Sequence, residues 1–189
     1  MYWAYRSSCS RPGGRHLNLK DRNVNIMWFC VKGMRWEQFD ALFESTLKSS
    51  PPPNYLLVHF GSKDLGFIPR IEHFHQINCF FLRCKVLAPH MTIIWSDMLP
   101  RLYWHNAKSA RNIDSARKDV NRKVKQYLKT QGGLVIRHPS ITPPEKHLFR
   151  YAGTHLNQLG NSVLLNGLQG ALETLLLSKS GMSVFPDDM

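Results

Sequence analysis

Four short runs of continuously apolar residues, each separated from the next by a helical pattern, constrain this chain more than any other feature. They are "VNIMWFCV" (24–31), "YLLVHF" (55–60), "MTIIWS" (91–96) and "GGLVIRH" (132–138). A strand with one wet face alternates apolar and polar side chains. A strand that is apolar at nearly every position is covered on both faces, and that is the condition of a parallel sheet between helical layers.

The intervening stretches have the required period. Trp36, Phe39, Leu42 and Phe43 fall on one helical face, and "SSPPPN" (49–54) ends that helix. A second helix is predicted over 69–87 and a third over 113–129. The third carries Ile113, Ala116, Val120, Val124, Tyr127 and Leu128 in one stripe and stops at a glycine pair. A last helix starts near Asn157, with Leu159, Val163, Leu168, Leu172, Leu175 and Leu176 as its apolar positions. The prediction is an α/β protein, a three-layer α/β/α sandwich over 24–178. An irregular segment precedes it (1–23) and a flexible tail follows it (179–189).

At 189 residues, 43% hydrophobic and 11% aromatic, the chain can bury a sizeable core and is not compositionally disordered. Cys9, Cys30, Cys79 and Cys84 form no CxxC pair. The last three lie in apolar runs, as reduced core cysteines do, and a disulfide framework or zinc site is not indicated. No stretch reaches the length of a membrane span, and residues 1–14 lack a signal peptide's apolar core. A cytoplasmic or nuclear protein, without a membrane partner and without metal or cofactor, is the expectation.

The net charge of +12 raises the question of nucleic acid. The third helix presents Arg111, Arg117, Lys118, Arg122, Lys123, Lys125 and Lys129 off its apolar stripe, against Asp114 and Asp119. Arg6, Arg11, Arg15 and Lys20 add to the charge near the start. Arg117, Lys118, Arg122 and Lys125 are the candidate contacts. Binding through them would be weak, nonspecific and salt-dependent. No reading motif accompanies them, and an ordinary solvated helix face competes with that reading.

In parallel sheets, sites form at the carboxyl ends of strands. Those ends carry "VKGMRW", "GSKDLG", "WSDMLPR" and "HPSITPPEKHLFRYAGTH". His155 stands at the end of the last, just before a helix, where an imidazole can act as a base near neutral pH. Asp97, Arg101, Trp104 and His105 cluster after the third run, where Asp97 and Arg101 could pair or line a pocket rim. His73 and His75 are two apart on a helix and face different ways, which is wrong for a metal pair. His59, beside the glycine turn, reads as a packed and hydrogen-bonded histidine.

These loops, in this order, resemble the SGNH hydrolases, the superfamily of the GDSL esterases and lipases. The phrases "LLVHFGSKDLG", "IIWSDMLPRLYW" and "GTHLNQLGN" look most like the SGNH-type domains of vertebrate retroelement-derived genes. The resemblance implies acyl-ester hydrolysis and a flavodoxin-like strand order. It makes Gly33 an oxyanion-hole glycine, places Gly61, Ser62, Lys63 and Asp64 in the third block, and makes His155 the base. It also exposes departures. The family's first strand and Gly-x-Ser nucleophile turn would precede "YWAYR", and Ser7, Ser8 and Ser10 follow no recognisable apolar strand. Lys63 occupies the position of the oxyanion-hole Asn, and Ala152 that of the triad Asp. Asp64 is expected to brace its loop.

Three readings follow. In the first, the domain is catalytically degenerate, with His155 a vestigial base. In the second it is a serine esterase whose Gly-x-Ser segment is missing from this sequence, and in the third a basic nucleic-acid-associated module. Omitting the first strand would leave two unpaired edges in the middle of the sheet. Either Met1 is not the true start, or the sheet closes with a new pairing, or the chain folds poorly.

Overall fold

The computed structural model describes residues 2–6, 17, 19, 25–31, 33–105 and 107–177. It is a three-layer α/β/α sandwich. The strands are β1 (Tyr2–Arg6), β2 (Ile26–Cys30), β3 (Tyr55–His59), β4 (Thr92–Ser96) and β5 (Leu134–Ile136). The helices are α1 (Trp36–Ser49), α2 (Arg70–Leu87), α3 (Ala110–Gln131) and α4 (Gln158–Leu177). The sheet is wholly parallel, in the doubly wound order β2-β1-β3-β4-β5.

The expected gap at the centre of the sheet is closed. Among the described residues no strand runs into a Gly-x-Ser turn, but Tyr2–Arg6 takes the central position, pairing with β2 from Tyr2↔Ile26 to Arg6↔Cys30 and with β3 from Tyr2↔Tyr55 to Arg6↔His59. This is the ordinary doubly wound arrangement, with Tyr2–Arg6 as its central strand. The 1–23 segment is therefore not irregular throughout, because its first residues are built into the sheet. A central slot offers a free ladder on both sides, and five residues of extended chain suffice to satisfy both sets of backbone groups. Ser7, Ser8, Cys9, Ser10, Arg11, Arg15, Lys20 and the tail 179–189 lie outside the described residues.

Alternation along the inner strands divides the core in two. Leu56 and Val58 of β3, with Ile93 and Trp95 of β4, face α1, α2 and α3. Leu57 and Ile94 face the other way, toward α4. On α3 the seam is Val120, Val124 and Leu128. The helix begins at Ser109, whose side chain accepts from the Asn112 amide, and ends at left-handed Gly132. On α4 the buried seam is Leu164, Leu168 and Leu172, at i, i+4 and i+8, whereas Leu159 is exposed. Leu159 was expected on the apolar face, but five residues of helix rotate it about 140° from Leu164. Among the described residues, no helix is long and apolar enough to cross a membrane.

Candidate functional site

Loops from β3, β4 and β5 converge on one rim of the sheet. The turn after β3 runs through Gly61, whose φ of 102° favours glycine. A Cβ there would lie 3.0 Å from Trp36 Nε1 and 3.1 Å from His73 Nε2. Those two atoms form a buried hydrogen bond, with the indole N–H donating across 2.9 Å. Burial without a counter-charge holds the fully buried His73 down at about 4, so it is neutral. His75 lies on the exposed side of α2, against Cys79. The two histidines do face apart.

Asp64 closes the same turn. Its amide donates to Gly61 O and its carbonyl accepts from Phe67 and Ile68. Burial pushes its carboxyl up to about 6, against the attraction of Arg35 and Lys63 and an accepted bond from the Trp36 amide. Lys63 is exposed and lies over Gly33, where a Cβ would sit 2.7 Å from its Nζ. The structure thus brings Gly33 and Lys63 together, with an ammonium where the resemblance calls for an Asn amide.

His155 is exposed, at the mouth of α4. Its loop is fixed from both ends. The Asn157 side chain accepts from the Gly160 amide, capping the helix, and its amide nitrogen donates to the carbonyls of His147 and Phe149. On the other side Gly153 O accepts from the amides of Leu102 and Tyr103, tying this loop to the one after β4. Ala152 is exposed too, and its carbonyl accepts from Thr154 Oγ1.

Beneath His155 lies a pocket of about 60 Å³. Its polar lining is His59, Ser62, Arg101, Thr154, His155 and Asn161, and its apolar wall includes Leu99, Phe149 and Leu164. None of the described lining residues is acidic. Gly33, Lys63 and Asp64 are not part of this lining, so the sequence-derived site residues fall into two groups.

Of the two readings offered for Asp97 and Arg101, the pairing does not form, and each lines a pocket. Arg101 Nη2 donates to Ser62 Oγ at 2.7 Å, and its guanidinium lies 4.9 Å from the Trp104 ring centroid. Asp97 opens instead into a second pocket, of about 260 Å³, which also involves Arg117 and Arg137. Burial raises its carboxyl to about 6, with Arg137, Arg117 and Lys125 pulling the other way. The separation is a matter of backbone. An i, i+4 pair needs a helix, and the segment from Asp97 to Arg101, with Pro100 inside it, is not helical. His105 joins the last loop instead, its Nε2 3.1 Å from Thr154 Oγ1.

Sequence reading missed a second constellation. Ser96, fully buried at the end of β4, lies 2.8 Å from His59 Nδ1 and 2.7 Å from His138 Nε2. A hydroxyl has one proton, so with both imidazoles neutral Ser96 donates to one and accepts from the other, coupling their tautomers. His59 is hydrogen-bonded, as its position suggested, and it also lines the first pocket. His138 lines the second. The signal lay in His59 and Ser96 at the ends of neighbouring strands and His138 just beyond the end of the next, which becomes informative only when the strand order is known.

The basic face of α3 is largely internally paired. Asp114 binds Arg117 and Lys118, and Asp119 binds Arg70, Arg122 and Lys123. Arg117 also donates to Met98 O. Two aspartates thus engage five cations, so some positive charge remains, but three of the four nucleic-acid candidates (Arg117, Lys118 and Arg122) already have carboxylate partners.

No family model matches the chain, and no curated protein is significantly similar to it. Solved structures are. A member of the lipolytic G-D-S-L family from Veillonella parvula is 13% identical, covering 93% of this chain and 97% of its own, with a TM-score of 0.67. A GDSL-like lipase from Bacteroides thetaiotaomicron is 12% identical, covering 92% and 87%, also with a TM-score of 0.67. At such identities the likeness is one of fold. The strand order, the layers and these neighbours agree: the chain has the α/β/α fold of the GDSL-type, or SGNH, hydrolases.

Proposed function

We propose that this chain is an SGNH-hydrolase-type domain that has lost ester hydrolysis while keeping the fold and its cleft. The observation that carries this reading is the setting of His155. Ala152 stands where the resemblance calls for a carboxylate to orient the imidazole, and Lys63 where it calls for the oxyanion-hole Asn. Losing the orienting carboxylate of a catalytic histidine costs about 10⁴-fold in turnover. Replacing a fixed oxyanion donor by Lys63, on its mobile stem, costs roughly a further 10²–10³ where the losses are independent. The resemblance of "LLVHFGSKDLG", "IIWSDMLPRLYW" and "GTHLNQLGN" to retroelement-derived SGNH domains supports descent from that branch.

The topology favours one competing reading. β1 holds the central position and ends at Arg6, so Ser7 and Ser8 follow a strand after all. In the family, the central strand leads into the nucleophile turn. An esterase would then use one of these serines, with His155 as base.

Hydrolysis of p-nitrophenyl acetate separates the two. The proposal expects the wild-type protein to be no faster than His155→Ala. Turnover that depends on His155 and disappears in a Ser7→Ala, Ser8→Ala double variant would overturn it and assign the nucleophile.

A further inference from the structure

The pocket below His155 contains a charge that no described residue neutralises. Arg101 is half-buried, and desolvation alone shifts its guanidinium, downward, with no acidic group acting on it. Among the described residues it has no ion pair. Its contacts are one hydrogen bond to a neutral hydroxyl, Ser62, and the face of Trp104. Removing a guanidinium from water without a counter-ion is costly, and proteins usually place a carboxylate beside it. Here none of the described lining residues supplies that counter-charge.

We propose that the pocket is a binding site for a short-chain monocarboxylate, its carboxylate held by Arg101 and its alkyl end against Leu99, Phe149 and Leu164. Three features select this class. First, the guanidinium fork offers five N–H donors, of which Ser62 uses one, and paired N–H groups match a planar carboxylate. Second, about 60 Å³ accommodates a few heavy atoms, not a nucleotide or a sugar chain. Third, Arg101 is the one guanidinium or ammonium among the described lining residues, suited to a single negative charge; a dianionic phosphate would ask for more such cations. The inference stands on Arg101 and its surroundings, and holds whether or not ester chemistry survives.

The test is calorimetric or NMR titration of the purified full chain with sodium butyrate, butyramide and sodium phosphate, at constant ionic strength set with sodium chloride. Butyrate is expected to saturate one site, and butyramide to bind at least about tenfold more weakly, as loss of charge-assisted hydrogen bonds requires. Arg101→Lys, checked for folding by circular dichroism, keeps the charge but loses the fork, and is expected to weaken butyrate by roughly the same factor. Equal binding of butyrate and butyramide, no saturation by butyrate, or wild-type affinity in Arg101→Lys would each overturn the proposal. Phosphate binding as tightly as butyrate would overturn the carboxylate assignment. If Arg101→Lys does not fold, the comparison of butyrate with butyramide on the wild-type protein decides alone.

Discussion

The two faces of the sheet are packed with different chemistry. Toward α1, α2 and α3 the core is aromatic: Trp36, Phe39, Phe43, Phe60, Phe80, Phe81 and Trp95 form one connected set of rings. Toward α4 it is almost wholly aliphatic, with Leu57, Ile94, Ile136, Leu164, Leu168 and Leu172 at its centre. The aromatic side also buries polar groups that need defined partners, His73, Asn121 and Asp64. Rings and buried polar atoms specify geometry, whereas aliphatic side chains mainly fill volume and tolerate rearrangement. The loop that bears His155 rests on the aliphatic side through Leu148, Phe149 and Leu156. The aromatic half of the molecule thus carries the glycine turn and Asp64, and the aliphatic half carries the loop with the surviving histidine, which packing chemistry makes the more adaptable of the two.

Truncating one anchor on each side tests this difference. Phe39 touches the rings of Trp36, Phe43, Phe60 and Phe80 and has no exposure. Phe39→Ala is expected to cost about 3–5 kcal/mol in denaturant unfolding. Leu168, equally buried, sits among aliphatic neighbours that can close around the space, so Leu168→Ala is expected in the lower half of the roughly 2–5 kcal/mol range. If Leu168→Ala costs as much as Phe39→Ala, the two faces differ in composition but not in rigidity.

Much of this architecture was legible because it depends on period. β2 to β5 announced themselves as continuous apolar runs, since both faces of each are covered, and the left-handed Gly132 marked the end of α3 in advance. β1 was not legible. "YWAYR" is short and ends in a charged residue, and it becomes a strand only because the sheet has a central slot to fill. Gly33, Lys63 and Ala152 could be placed by resemblance to motifs. The Arg101–Ser62 contact and the His59–Ser96–His138 chain could not, because each joins residues about forty apart at the ends of neighbouring strands or in the loops that follow them. Separations of that kind become readable only with the strand order.

A third variant probes the boundary between the faces. Ser96→Ala removes the hydroxyl that joins His59 to His138 without opening a large cavity. The expected loss is about 1–3 kcal/mol, from leaving buried polar atoms without that partner. Imidazole ¹⁵N shifts should report both histidines changing tautomer population together. If only one ring responds, the hydroxyl serves a single histidine and the coupling is absent.

The smallest effect expected is a pH dependence that the aromatic face generates from two opposed groups. Asp64 is raised to about 6 from 3.8, so the stability it contributes is fully present below 3.8 and is lost as pH rises through about 6. His73 is lowered to about 4 from 6.5, so its contribution is present above 6.5 and is lost as pH falls through about 4. Asp97, on the rim, acts in the same sense as Asp64. On acidification from pH 6.5 to 4 the carboxylates therefore add stability while the imidazole removes it. His73→Gln, whose amide oxygen can still accept from the Trp36 indole, should show the largest gain in Tm over that interval. Wild type should be intermediate, and Asp64→Asn should gain least or lose. Thermal melts at half-unit steps would establish the order. An Asp64→Asn slope equal to or steeper than that of wild type would mean that the carboxyl is not held protonated by burial, and that the polar interior of the aromatic face does not set the acid response.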